Sequence, residues 1–279
     1  MKNKYPIYVI SKGRPNNCIT TRELKLMGVD FKLVIEPQEY QQYKHITDDI
    51  IILPFSNLGL GSTPARNFVW EHSINEGYEK HWIIDDNIEG FHRLNRNNKF
   101  KLLSPVFFRC MEDFTDRYSN VAISGPNYYS FCKSTDRVPP YYLNTRIYSC
   151  LLIRNDINYR WRGKYNEDTD LCLRVLKDKW CTILFNAFLI GKVTTLRMKG
   201  GNTDEVYADT NNRFEFAESL YKQHPDVVKI TKKFGRWHHH VDYRFFKNNK
   251  LQIHRNLVIP DLINEYGMVL KKSSDDALS

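Results

Sequence analysis

Apolar residues in the first third of the chain fall into short continuous runs, with neither a helical stripe nor strict alternation. Tyr5 to Ser11 (YPIYVIS), Phe31 to Glu36 (FKLVIE), Ile50 to Phe55 (IIILPF) and His81 to Asp85 (HWIID) are rich in β-branched residues. That is the pattern of strands buried on both faces. Between them, Thr20 to Met27 and Thr63 to Asn75 read as helices closing at Gly28 and Gly77, and Pro37 to Tyr43 as a short turn or helix. Strand and helix alternating in this rhythm predict right-handed crossovers, and so a mostly parallel sheet with helices on both sides. Further on, Pro105 to Tyr118 and Asp168 to Asp178 are predicted helices, while Asn120 to Ser124, Ser149 to Ile153 and Thr182 to Phe188 are predicted strands. After Gly200 the pattern weakens. One helix is expected over Asn212 to Gln223, followed by aromatic and basic segments of low periodicity.

Composition narrows the class. The 279-residue chain can bury one large core, and no stretch reaches the apolar length of a membrane span. The first apolar run ends at Ser11 and Lys12, too early for a signal-peptide core, so a cytosolic protein is expected. Six scattered cysteines form no Cys-x-x-Cys pair and no zinc-type spacing, and are read as reduced, buried thiols. A net charge of +9 favours an anionic partner: nucleic acid, anionic membrane or sugar nucleotide. The positive charge is concentrated in His92 to Lys101, which holds Arg93, Arg96, Lys99 and Lys101 without an acid, and in Arg213 to Arg255, with ten Lys/Arg against four Asp/Glu.

Candidate chemistry collects where predicted strands end. Asp85, Asp86 and Asn87 close an apolar strand with hard oxygen donors, which at such an edge suit Mg²⁺ or Mn²⁺ beside a substrate phosphate; they are equally the residues of an ordinary turn. Ser11-Lys12-Gly13-Arg14 follows the first strand, where a nucleotide would lie, although neither it nor Gly59-Leu60-Gly61 has the phosphate-loop pattern. Arg66 stands one turn into the next helix, as a ligand cation or a plain salt-bridge partner. Glu167, Asp168 and Asp170 precede a helix: one is expected as its N-cap, and the others are candidate general bases. In Trp237-His238-His239-His240, an extended backbone would put His238 and His240 on one face and His239 on the other. A third metal ligand could come from this histidine run. The rival use is nucleic-acid contact through Arg236, Trp237 and the histidines.

Taken in order, Ser11-Lys12-Gly13-Arg14, Glu36-Pro37-Gln38-Glu39-Tyr40, Pro54 to Gly59, Pro64-Ala65-Arg66-Asn67, Ile84-Asp85-Asp86-Asn87 and Asn166-Glu167-Asp168 form a set that resembles type-A glycosyltransferases. More narrowly, the chain resembles the TET-associated glycosyltransferases of tailed bacteriophages, from Tyr5 to Tyr243. The resemblance implies a single Rossmann-type α/β core over residues 1–208, a basic segment over 209–270 that completes the site and contacts the acceptor, and a flexible tail over 271–279. It implies transfer of a sugar from a nucleotide-sugar donor, a UDP-sugar, to the hydroxyl of 5-hydroxymethylcytosine or a related base in phage DNA, in the cytoplasm of an infected host and without membrane attachment. The donor would be held by Ser11, Lys12, Arg14, Glu36 and Arg66, with Lys199 and Gly200 folding over the diphosphate. A manganese or magnesium ion would sit on Asp85, Asp86 and Asn87, aided by His238 and His239. Asp168, flanked by Glu167, would be the base, and Arg93, Arg96, Lys99, Arg236 and Trp237 would hold DNA. Asn87 departs from the family's Asp-x-Asp pattern by supplying an uncharged oxygen. Competing expectations are a glycan or lipid-linked acceptor, or an inactive nucleic-acid-binding module.

Overall fold

A computed structural model describes residues 3–193, 213–233 and 235–257, so Lys199, Gly200 and the tail from Lys271 lie outside it. Ten strands form one sheet: β1 (Ile7–Ile10), β2 (Lys32–Ile35), β3 (Ile50–Ile52), β4 (Lys80–Asp85), β5 (Ile88–Asn95), β6 (Asn98–Lys101), β7 (Val121–Tyr128), β8 (Tyr141–Leu143), β9 (Cys150–Arg154) and β10 (Cys181–Lys192). Their order is β3-β2-β1-β4-β9-β7-β10-β5-β6, with β8 also on β10. Following the pairings across the sheet, β1, β2, β3, β4, β6, β7 and β10 point one way, and only β5, β8 and β9 oppose them. The sheet is therefore mostly parallel, as the strand and helix rhythm predicts.

Both faces are covered because side chains alternate along each strand. Val9, Trp82 and Ile84 pack on one face with Leu24 of α1 (Ile19–Leu26) and Phe107, Phe108 and Met111 of α4 (Val106–Thr115). Tyr8 and Ile83 pack on the other with Val69 and Trp70 of α3 (Thr63–Asn75) and Leu171 and Val175 of α5 (Glu167–Lys177). A 3-10 turn, Pro37–Glu39, leads into the short α2 (Tyr40–Tyr43).

The C-terminal segment is built onto α5. Leu220 of α6 (Arg213–Gln223), Val228 of β11 (Val228–Lys233) and Phe246 join Leu173 and Leu176 in a third cluster, and β11 pairs with β12 (Arg236–Val241) as a separate antiparallel hairpin. Asn249 Nδ2 donates to the carbonyls of Leu176 and Trp180 at 2.8 and 2.9 Å, and the backbone N–H of Ser119 donates to the Gln252 carbonyl at 2.8 Å.

Two expectations change. The basic stretch His92 to Lys101, noted above only for its charge and expected to be a loop, is most of the β5–β6 hairpin, turning through Arg96 and Asn97 at φ 48° and 63°. Two successive left-handed residues make the tight turn that matches strand twist, and asparagine tolerates that region where no glycine signals it. The N-cap of α5 is Asn166, also left-handed at φ 55°, and it makes no side-chain capping bond. All three acids thus lie inside the first turn.

One glycine sets how closely two strands approach. A Cβ on Gly125 of β7 would lie 2.2 Å from the Cys150 carbonyl oxygen and 2.7 Å from Ile147 Cγ2. Gly125→Ala is expected to destabilise the fold by about 1–3 kcal/mol, measured as a lowered urea midpoint; an unchanged midpoint would show that β9 can move aside.

Candidate active site

Because β1, β2, β4, β7 and β10 run the same way, their carboxyl ends meet at one rim, and the oppositely directed β9 brings its start, Ser149, to the same place. Sheet ends of this kind are where ligands of α/β folds bind. Two polar clusters fill the rim.

The first lies beyond β1 and β2. Ser11, buried, donates to Asp86 Oδ2 at 2.7 Å and shares a 2.9 Å hydrogen bond with the Tyr43 hydroxyl. Arg14 donates from Nη1 to Asp86 Oδ1 at 2.6 Å and from its backbone to Tyr43 Oη at 2.7 Å. Lys12 reaches Glu36 Oε1 at 3.0 Å, while Glu36 Oε2 accepts from Gln38 at 2.6 Å and from the Asn57 amide at 3.0 Å. Burial pushes the Glu36 carboxyl up, but these donors outweigh it and hold it below its ordinary range. Asp86 moves the other way: burial dominates and raises it despite Arg14 and Ser11. The predicted residues Ser11, Lys12, Arg14 and Glu36 thus gather at one place, to which the structure adds Tyr43 and Glu39, whose Oε1 accepts from the Gly13 amide at 2.5 Å.

The second cluster lies between α3, β4, α5 and β10. Arg66 is buried; Nη1 donates to Asp168 Oδ1 and lies 3.7 Å from Glu167 Oε1, and Nη2 donates to Asp85 Oδ1 at 3.2 Å. Its guanidinium stacks 4.4 Å over the ring of Trp161, whose backbone is gripped by Asn67 through bonds of 2.9 and 2.8 Å. Asp85 Oδ2 accepts from Lys192 Nζ at 2.6 Å, and Lys192 also donates to Ser149 Oγ at 2.6 Å. Burial would raise Asp85, but Lys192 and Arg66 together bring it down to about 2. Glu167 and Asp168 share one cation between them; burial raises both, and Arg66 only partly opposes it. Asp170 is separate. Fully buried, it takes Arg162 at 2.9 Å, Arg174 at 2.9 Å and His224 at 2.8 Å, a structural staple between α5 and α6.

The expected cation site can be tested against these contacts. Each oxygen of Asp85 and of Asp86 already bears a donor, Arg66 and Lys192 on one side chain and Ser11 and Arg14 on the other. Among the described residues no group of three or more His, Cys, Asp or Glu side chains is placed to hold a metal. His238 and His239 lie on β12, outside the main sheet; burial, Arg146 and the adjacent histidines push His239 down to about 4. Asp85 and Asp86 are thus held in ion pairs and hydrogen bonds within the protein, Asn87 Oδ1 is buried without a hydrogen-bond partner, and the positive charge at the rim is supplied by Arg66 and Lys192.

The predicted acceptor cations are dispersed. Arg93 and Arg96 are exposed on the β5–β6 hairpin, and Lys99 donates to the Tyr129 carbonyl at 2.7 Å while lying 4.0 Å over its ring. Arg236 and Trp237 open β12, where Trp237 meets Phe214 edge-on at 5.1 Å. Sequence reading missed Lys192. The clue was available: Lys192 closes the apolar β10 just as Asp85 closes β4.

A model of the family described as TET-Associated Glycosyltransferase matches residues 5–201, well over half of the chain. No curated protein matches it.

Proposed function

The chain belongs to the TET-associated glycosyltransferases, and from that premise we propose that it transfers a sugar from a nucleoside-diphosphate donor to the hydroxyl of a 5-hydroxymethylpyrimidine in DNA. The observation that carries the reading is the pairing of two buried carboxylates, Glu167 and Asp168, with Arg66, beside the Asp85–Lys192 pair at the same sheet rim. A glycosyltransferase needs both parts: a base for the acceptor hydroxyl, and fixed positive charge for the departing diphosphate.

In this reading the nucleoside lies against Ser11, Lys12, Arg14, Glu36 and Tyr43, and its diphosphate extends toward Arg66 and Lys192. The acceptor oxygen bonds to the sugar's anomeric carbon as the bond from that carbon to the phosphate oxygen breaks. The electron pair leaves with the nucleoside diphosphate, and the hydroxyl proton passes to Asp168. Arg66 occupies Asp168 Oδ1, so Oδ2 is the oxygen assigned to the proton. Glu167 is assigned to keep Arg66 in place. The net charge of +9 is consistent with a nucleic-acid acceptor, and no described helix is long and apolar enough to cross a membrane.

Transfer from a panel of labelled nucleotide sugars to duplexes with and without 5-hydroxymethylcytosine tests the proposal. Label should enter only the hydroxymethylated duplex. Donor hydrolysis with no label in any DNA would overturn the assigned acceptor.

A further inference from the structure

A cavity opens beside the acid cluster, and none of the predicted donor residues lines it. It has a volume of about 590 Å³ and lies under β7, β8, β10 and the chain after β12. That is the size of a site for a nucleotide-sized ligand. Aromatic rings line it: Tyr128, Phe131, Tyr142, Tyr148 and Tyr243, with Tyr128 and Tyr148 nearly parallel at 22° and 6.0 Å between centroids. Such rings offer stacking faces to any base.

Two of the tyrosines tie this cavity to the reacting rim. Tyr128 Oη is 2.7 Å from Ser149 Oγ, the atom that also receives Lys192. Tyr148 Oη is 3.3 Å from Thr169 Oγ1, the residue after Asp168. A ligand in the cavity therefore lies one side chain away from the proposed base and from the charge that would meet the diphosphate. The lining also carries selective polar groups. Asn144 donates both amide hydrogens, to the carbonyls of Phe246 and Asn249 at 2.9 Å each, and its Oδ1 has no hydrogen-bond partner. Arg146 lies beside it, and the exposed cations Arg244, Lys247 and Lys250 form the rim.

Aromatic walls, a buried amide and a cationic rim are together the chemistry of a flipped nucleotide, with its base stacked inside and its phosphates outside. We propose that this cavity receives the acceptor pyrimidine extruded from the duplex, with Tyr142 and Tyr148 stacking on the base and Lys247 and Lys250 neutralising the flanking phosphates. This inference rests on the reading of DNA as acceptor. It assigns the acceptor site to a face of the sheet rim distinct from the donor residues.

Steady-state transfer to a hydroxymethylated duplex is measured for the wild type, Tyr142→Ala and Lys247→Ala, both at exposed positions, with thermal midpoints confirming that each variant folds. Each variant should raise the acceptor KM at least tenfold with the donor KM within twofold. Lys247→Ala should also reduce by about one the slope of log affinity against log salt. Unchanged acceptor KM and salt slope, with DNA still glycosylated, would overturn the cavity assignment and leave the acceptor reading standing. A wild type that hydrolyses donor yet glycosylates no DNA, while transferring to an oligosaccharide, would overturn both.

Discussion

Asp168→Asn is expected to lower kcat by about 10²–10⁴-fold, the contribution of a positioned general base, with donor KM little changed. The substitution keeps the shape of the side chain and removes its ability to take a proton. Arg66 stays paired, because Asp85 and Glu167 still face it, so the fold should survive. The pH profile separates a base from a merely structural carboxylate. Burial raises Asp168 above its ordinary range, and a base works only when ionised. Wild-type activity should therefore fall as pH drops through that raised value, at a pH higher than a free aspartate would give. Asp168→Asn should lack this acidic limb. A variant that keeps more than a tenth of the rate, with the limb intact, would assign the proton to another group.

The second large effect is expected at Lys192. Lys192→Met keeps the length and the apolar stem but removes the charge that meets Asp85 at 2.6 Å. If Lys192 and Arg66 supply the field that stabilises the departing diphosphate, the loss should be about 10²–10³-fold in kcat, the scale of one preorganised donor at a site of developing charge. Lys192→Arg should recover part of it. Wild-type transfer should persist in excess chelator. Activity abolished by chelator and restored by Mn²⁺ would instead make Asp85 a metal ligand and Lys192 its place-holder.

Much of the left half of the sheet was legible in the sequence because its strands are buried on both faces. Apolar runs such as Phe31 to Glu36 have no other use, and Thr63 to Asn75 coincides with α3 residue for residue. The polar cluster beyond β1 and β2 was legible for a related reason: Ser11 and Glu36 directly follow apolar runs, so strand ends announce themselves. The far edge of the sheet and the C-terminal hairpin were harder. The β5–β6 hairpin alternates cations with Leu94 and Phe100, and charge masked its period of two. β12 is three histidines and a tryptophan paired with a lysine-rich strand, with little apolar pattern to read. Lys192 was missed for a different reason. A lysine after an apolar strand reads as a solvated end, and only the sheet order, which sets β10 near β4 across β9 and β7, brings it to Asp85. The cavity residues Tyr128, Tyr142, Asn144 and Tyr148 come from β7, β8 and the loop that follows β8, and their spacing matches no helix or strand period that would have singled them out.

The staple between Asp170 and His224 separates two notions of a protein's boundary. The family match ends at residue 201, yet Asp170 is hydrogen-bonded to His224, Leu176 is covered by Phe246, and Asn249 closes the carbonyl end of α5. The portion recognisable by ancestry is thus shorter than the portion that can stand alone. Severing the chain at the edge of the recognisable part would leave α5 with a raw apolar flank and unpaired polar groups. The helix that would come loose is the one whose first turn carries Glu167 and Asp168. Inheritance and autonomy are measured here with different rulers, and any transplanted version of this enzyme must be cut by the longer one.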